Sequence, residues 1–170
     1  MTDFPIPQTD PRAGYLEQRE AIDAAIARVL AGGQYILGSE VASFEEGFAS
    51  WLGIAHAVGT GSGTDAIELA LRACGIGNGD LVYTVSHTAV ATVAAIERAG
   101  AVPVLVDIEP GGFTMDPAAL EVALSGPPRG RPAAILPVHL YGEPADLAPI
   151  LGLARRYRLR VIEDCAQSHG

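Results

Sequence analysis

Apolar positions along the chain follow two rhythms. Ile22, Ile26, Val29 and Leu30 recur at helical spacing and stop at Gly32-Gly33, and Val41, Phe44, Phe48 and Trp51 repeat the pattern up to Gly53. Residues 34–38 join these two predicted helices as a loop. Beyond them, short apolar runs at residues 57–58, 81–85, 102–106, 134–136 and 159–162 read as strands, separated by helical stretches. This alternation predicts an α/β fold: a three-layer sandwich with a mostly parallel sheet covered on both faces. Its helices are well punctuated. Asp116-Pro117 is an N-cap followed by proline at the first helical position, and Gly100 ends the segment that begins near Thr88. Asp146 caps another helix, with Leu147, Ile150, Leu151, Ala154 and Tyr157 on one stripe. Residues 1–14, carrying Pro5, Pro7 and Pro11, read as an extended arm ahead of a domain over 15–170.

Composition narrows the class. A chain of 170 residues that is 49% hydrophobic and 18% charged is long enough to bury a sizeable core. Its net charge of −9 disfavours a nucleic-acid backbone or an anionic membrane surface as partner, while leaving room for a small anion at a helix start. No basic, apolar leader stands at the Met1 end, and the longest uncharged run, residues 81–96, is shorter than the roughly 20 residues a spanning helix needs. The expectation is a cytoplasmic protein without a membrane segment. Cys74 and Cys165 offer no disulfide framework and are expected as buried or near-buried thiols. All 11 basic residues are arginine, so chemistry that needs a lysine amine cannot be completed by these residues. Each earlier inner strand is followed by a covering helix and the last is not, which predicts that the chain is the N-terminal piece of a longer protein.

Three places carry candidate chemistry. Residues 59–65, Gly-Thr-Gly-Ser-Gly-Thr-Asp, follow a short strand and open a helix with Ile67, Ala70, Leu71 and Cys74 on its buried face. Glycines such as Gly63 let a phosphate approach the backbone, and the free amides at a helix start donate to it, with Ser62 or Thr64 adding hydroxyls. A glycine turn capped by Thr64 or Asp65, with Asp65 and Glu68 as a capping box, explains the same residues. Asp164 ends the β-branched run at Val161-Ile162, where a parallel sheet meets its ligands, and suits a protonated ring nitrogen, a metal, a ribose hydroxyl or a simple loop cap. Gln167 lies three residues on and can donate to a phenolate oxygen of the same ring. His87, at the end of the 81–85 strand, could stack on a heteroaromatic ring or be structural, and His139 reads as structural. His139, Asp164, Cys165 and His169 have no recognised zinc spacing, so no metal centre is expected.

Five stretches taken together, residues 61–67, 86–92, 100–107, 137–142 and 161–170, resemble the DegT/StrS-type nucleotide-sugar aminotransferases, which use pyridoxal 5'-phosphate on fold type I. The likeness runs in order from about Gly32 to Gly170. It implies that Thr64 and Asp65, beside Gly63, bind the cofactor phosphate, that Asp164 pairs with the pyridine nitrogen, and that Gln167 lies beside the phenolic oxygen. The family places an aromatic ring on the cofactor where this chain has Ala89, and His87 is the candidate replacement. Its Schiff-base lysine and its small C-terminal domain lie further along such proteins, so these residues form a partial large domain. Two later strands of that fold lie between the first strand and the one ending at Asp164, which predicts a gapped sheet with unpaired edges here.

The implied function is that of the N-terminal part of an aminotransferase that takes an amino group from a donor such as glutamate and delivers it to a keto-sugar nucleotide, in a homodimer, with the fragment inactive by itself. Some relatives replace the lysine and run dehydrations. Two other readings stand beside it: a non-catalytic module that holds a phosphorylated ligand or a partner subunit, and a Rossmann-type nucleotide binder built on residues 59–63. Against the last, no acid closes a strand about 20 residues on, where the chain reads Thr84-Val85.

Overall fold

The computed structural model describes residues 9–127 and 130–169. The chain divides into two units, Met1–Gly59 and Thr60–Gly170.

The first unit is helical: α1 (Pro11–Glu17), α2 (Arg19–Gly32) and α3 (Ser39–Leu52). Pro11 begins a helix instead of continuing an extended arm. Its missing N–H is no loss at the first helical position, and the Asp10 carboxylate accepts from the Ala13 amide at 3.3 Å. Met1 to Gln8, the rest of the expected arm, lie outside the described residues. Helices α2 and α3 stop where glycine punctuation predicts, at Gly33 and Gly53, both left-handed with φ 68°, a region costly for residues with a Cβ. A two-pronged ion pair, Arg28 to Glu40 at 2.8 and 3.1 Å, ties α2 to α3. Along α3, Phe44 stacks on Phe48 and Phe48 meets Trp51 at a tilt, each pair 5.6 Å between ring centroids. Residues 57–58 form no strand, and Val58 is 80% exposed. A strand is defined by its ladder, and this segment has no ladder partner among the described residues.

The second unit carries the sheet. In chain order it contains α4 (Gly63–Ala73), β1 (Asp80–Val85), α5 (Val90–Arg98), β2 (Val102–Val106), α6 (Pro117–Ser125), β3 (Arg131–Leu136), α7 (Leu147–Tyr157) and β4 (Arg160–Val161). The four strands are parallel in the order β2-β1-β3-β4, so β2 and β4 are edges. β1 is central and buried at all six positions, as a strand covered on both faces requires. Strand β4 is shorter than the 159–162 run, but its ladder continues: the Ile162 amide donates to the Ile135 carbonyl at 3.0 Å, and Asp164 bridges Val138. Right-handed crossovers place α5 on one face of this sheet and α6 and α7 on the other. The helices pair accordingly, α4 with α5 and α6 with α7.

The caps at Asp116 and Asp146 form as expected, accepting from Ala118 at 2.8 Å and Ala148 at 3.2 Å. On α7 the buried stripe is Ile150, Leu153 and Ala154, with Leu151 partly exposed. Asp80 and Arg131 close the amino-terminal end of β1 and β3 with two bonds at 2.6 and 2.7 Å. The Arg131 guanidinium holds the Asp80 carboxyl below the usual carboxylate range.

Candidate functional site

Strand order reverses between β1 and β3: the chain moves outward to β2, then crosses back to β3 and β4. Loops leaving the carboxyl ends of β1 and β3 therefore diverge and leave a crevice. A cleft of about 100 Å³ lies there, lined by Thr88 and Ala89 after β1, Val138, His139 and Leu140 after β3, and Asp164, Ala166 and Gln167 after β4.

Asp164 is held at its backbone and its side chain. Its amide donates to the Pro137 carbonyl at 3.0 Å, and its carbonyl accepts from the His139 amide at 3.1 Å, which pins it to the end of β3. The carboxylate accepts the Ala166 amide on Oδ1 at 3.1 Å, and the Thr92 hydroxyl on Oδ2 at 3.4 Å. Thr92, buried within α5, is joined to the Thr88 hydroxyl at 2.9 Å.

Gln167 is oriented by the turn after β3. Leu140–Gly142 is a short 3-10 turn in which Tyr141 takes a left-handed φ of 59°, uncommon for a bulky residue. That conformation aims the Tyr141 amide at the Gln167 Oε1, 2.7 Å away. With its oxygen occupied, the Gln167 amide keeps its NH2 as the group available to donate.

His87 is exposed and does not line the cleft. Its ring sits with Phe113 and Tyr141 at centroid separations of 5.9 and 6.0 Å, and its Nε2 is 3.4 Å from the Tyr141 hydroxyl. Phe113 and Tyr141 meet edge to face at 5.2 Å. Ala89, by contrast, is in the cleft wall.

The start of α4 differs in detail from its sequence reading. Ser62, not Thr64 or Asp65, is the N-cap: its Oγ accepts from the Asp65 amide at 3.2 Å and donates to the Asp65 carboxylate at 2.9 Å. Glu68 closes no capping box, because Arg72 and Arg98 hold its carboxylate at 2.9 and 2.8 Å. Arg98 also reaches Asp65 at 3.1 Å. Among the described residues the amides of Gly63 and Thr64 meet no protein acceptor, the free-donor arrangement that binds an anion.

The structure places Cys74 at the exposed end of α4, past its buried Ile67 and Leu71 face, so the expectation of a covered thiol is corrected there. Cys165 is partly covered, and burial together with Glu163 and Asp164 pushes its thiol pKa up. His139, Glu163 and Cys165 come within 4.8 Å of one another; Glu163 takes the place given to Asp164 and His169 in the sequence-based set. His139 Nδ1 accepts from the Ala145 amide at 2.9 Å, which puts the ring proton on Nε2, facing Glu163 at 3.2 Å. Both ring nitrogens are thus engaged, and the imidazole acts as a brace for the Asp164 loop.

Sequence reasoning missed Thr92, Tyr141 and the Ala166 amide. A signal for the first was present: a threonine on the otherwise apolar face of α5, one helical turn from Thr88.

Comparison with known proteins agrees with this architecture. Residues 16–170 match the DegT/DnrJ/EryC1/StrS aminotransferase family. The dTDP-3-amino-3,4,6-trideoxy-alpha-D-glucose transaminase of Streptomyces venezuelae is 48% identical over 97% of this chain and 42% of its own length. The crystal structure of S. venezuelae DesV in complex with a ketimine intermediate superimposes with a TM-score of 0.91 at 48% identity, over 97% of this chain and 43% of that one. NtdA from Bacillus subtilis with bound cofactor PMP gives 0.84 at 38% identity, over 91% and 34%. The chain therefore spans well under half the length of the relatives it matches, and its sheet is the parallel α/β sheet of their fold type I large domain. On these grounds the chain belongs to the DegT/DnrJ/EryC1/StrS aminotransferase family.

Proposed function

We propose that this chain supplies the cofactor-binding part of a pyridoxal 5'-phosphate-dependent aminotransferase that acts on keto-sugar nucleotides, with an amino acid, glutamate by preference, as donor. The observation that carries the reading is the meeting of Asp164, Gln167 and Ala89 in one cleft at the reversal of strand order. The donor set fits the cofactor. An acceptor-only carboxylate suits a protonated pyridine nitrogen, an amide NH2 suits a phenolate oxygen, and two unpartnered amides at Gly63 and Thr64 suit a phosphate.

When bound, the cofactor supplies an electron sink for the carbon that exchanges its amino group. The chain's own residues bind and orient it. Asp164 would hold the ring-nitrogen proton, Gln167 would donate to the phenolic oxygen, and the start of α4 would take the dianionic phosphate. Ala89 would offer a ring face only a methyl group; His87, grouped with Phe113 and Tyr141, lies outside the cleft lining and would be the nearby aromatic group for that face. Covalent attachment needs a lysine, which these residues do not contain, so the chain binds the cofactor without a covalent link and carries out no transamination by itself. Like its relatives' names, which refer to dTDP- and UDP-sugars, the reading favours nucleotide sugars as substrates, with a second copy of the whole protein as partner.

Parallel titrations with pyridoxamine 5'-phosphate and NAD test this. Saturable binding of the first and none of the second is expected; preference for NAD would contradict the reading and restore the nucleotide-binding alternative.

A further inference from the structure

Thr92 is fully buried in the first turn of α5, and its hydroxyl must find partners there. Two oxygens are in reach: Thr88 Oγ1 at 2.9 Å and Asp164 Oδ2 at 3.4 Å. A hydroxyl has one proton to give. The carboxylate only accepts and is the stronger acceptor, which favours the order in which Thr88 donates to Thr92 and Thr92 donates to Asp164.

The other carboxylate oxygen takes the Ala166 amide. One bond comes from the aspartate's own loop and the other from a helix 72 residues away in sequence, so the plane of the carboxylate is set from two independent directions. Without the Thr92 bond, only the local bond two residues on would remain, and the carboxylate could rotate about its Cβ–Cγ bond.

We propose that Thr92 is a positioning residue for the pyridine nitrogen of the cofactor: its hydroxyl, backed by that of Thr88, turns the Asp164 carboxylate into the orientation that meets the ring. The inference rests on the cofactor reading above and adds a residue that touches neither cofactor nor substrate. The bond is long for O–H to carboxylate, which sizes the effect as several-fold.

The test compares binding of two probes to the full chain: pyridoxal 5'-phosphate, and its 1-deaza analogue, in which CH replaces the ring nitrogen. The analogue keeps the phosphate and the phenolic oxygen but has nothing for Asp164 to pair with. Thr92→Val replaces the hydroxyl by a methyl group; Thr92→Ser and Thr92→Ala form a second pair, close in size, that differs by the hydroxyl alone. The unchanged chain prefers the nitrogen-bearing ligand. Thr92→Val and Thr92→Ala shrink that preference by about two- to tenfold without weakening the deaza analogue, and Thr92→Ser keeps it. Equal losses for both ligands would mean that Thr92 only holds the fold, and an unaltered preference would mean that it does nothing for Asp164; either overturns the proposal while leaving the cofactor reading intact. An unchanged chain that binds both ligands equally, or neither, removes the Asp164 pairing itself and the proposal with it.

Discussion

Asp164 illustrates how a strand-end acid is fixed in place. Its backbone is laced to Pro137 and His139, and each carboxylate oxygen has a donor, so little freedom remains to be lost when a ligand arrives. Removing the charge while keeping the shape isolates its contribution. Asp164→Asn is expected to weaken pyridoxamine 5'-phosphate binding at least tenfold, the usual scale of one charge-assisted bond of about 1.5–3 kcal/mol, measured by calorimetric titration. Unchanged affinity would place the ring elsewhere. Asp80, at the opposite end of the sheet, provides the pH dependence. Its carboxyl is held low by Arg131, so the pair stabilises the fold fully above the unfolded aspartate value of about 3.9, and that stabilisation fades as pH falls through the lower folded value. Denaturant unfolding at several pH values should show an acid limb that flattens in Asp80→Asn.

Helix α6 tests the account at the level of an element, because its start and its packing separate cleanly. Asp116 caps it from outside, and Leu120 is wholly buried against the sheet. Asp116→Ala is expected to cost about 1 kcal/mol and Leu120→Ala about 2–5 kcal/mol of unfolding free energy, read from urea midpoints. A reversed order would mean that α6 is not core. The elements also explain what was legible beforehand. Glycine stops, Asp-Pro starts and β-branched runs are local signals, and the elements they mark form near where they put them, with β3 starting earlier at Arg131 and β4 reduced to Arg160–Val161, apart from residues 57–58. That segment failed because a strand needs a neighbour, which no local pattern supplies. Helix α1 was readable in principle, since Asp10-Pro11 repeats the Asp116-Pro117 signal, but its prolines suggested an arm. Leu151 and Leu153 are both apolar, and only packing on the sheet decides which is buried. Asp164 and Gln167 were visible as types at a strand end. Thr92 was not singled out, because its meaning depends on a contact across 72 residues.

At the scale of the whole molecule, the sheet offers a cleft where its strand order reverses, while the edge strand β4 has a partner on one side only. No helix among the described residues is long and apolar enough to cross a membrane. The roles proposed for its residues are binding and orientation, and these 170 residues include no lysine to attach a cofactor. Incubated with pyridoxal 5'-phosphate, glutamate and a keto-sugar nucleotide, it is expected to give no product above a cofactor-only blank in a chromatographic assay; turnover would contradict the assignment of binding without chemistry. One cofactor molecule is expected to span Asp164 and the first turn of α4. A crystal structure of the chain with pyridoxamine 5'-phosphate tests it most directly. The ring nitrogen is expected at about 2.7–2.9 Å from the Asp164 carboxylate and the phosphate on the amides of Gly63 and Thr64; a ligand that reaches only one of the two, or binds away from both, would contradict this placement.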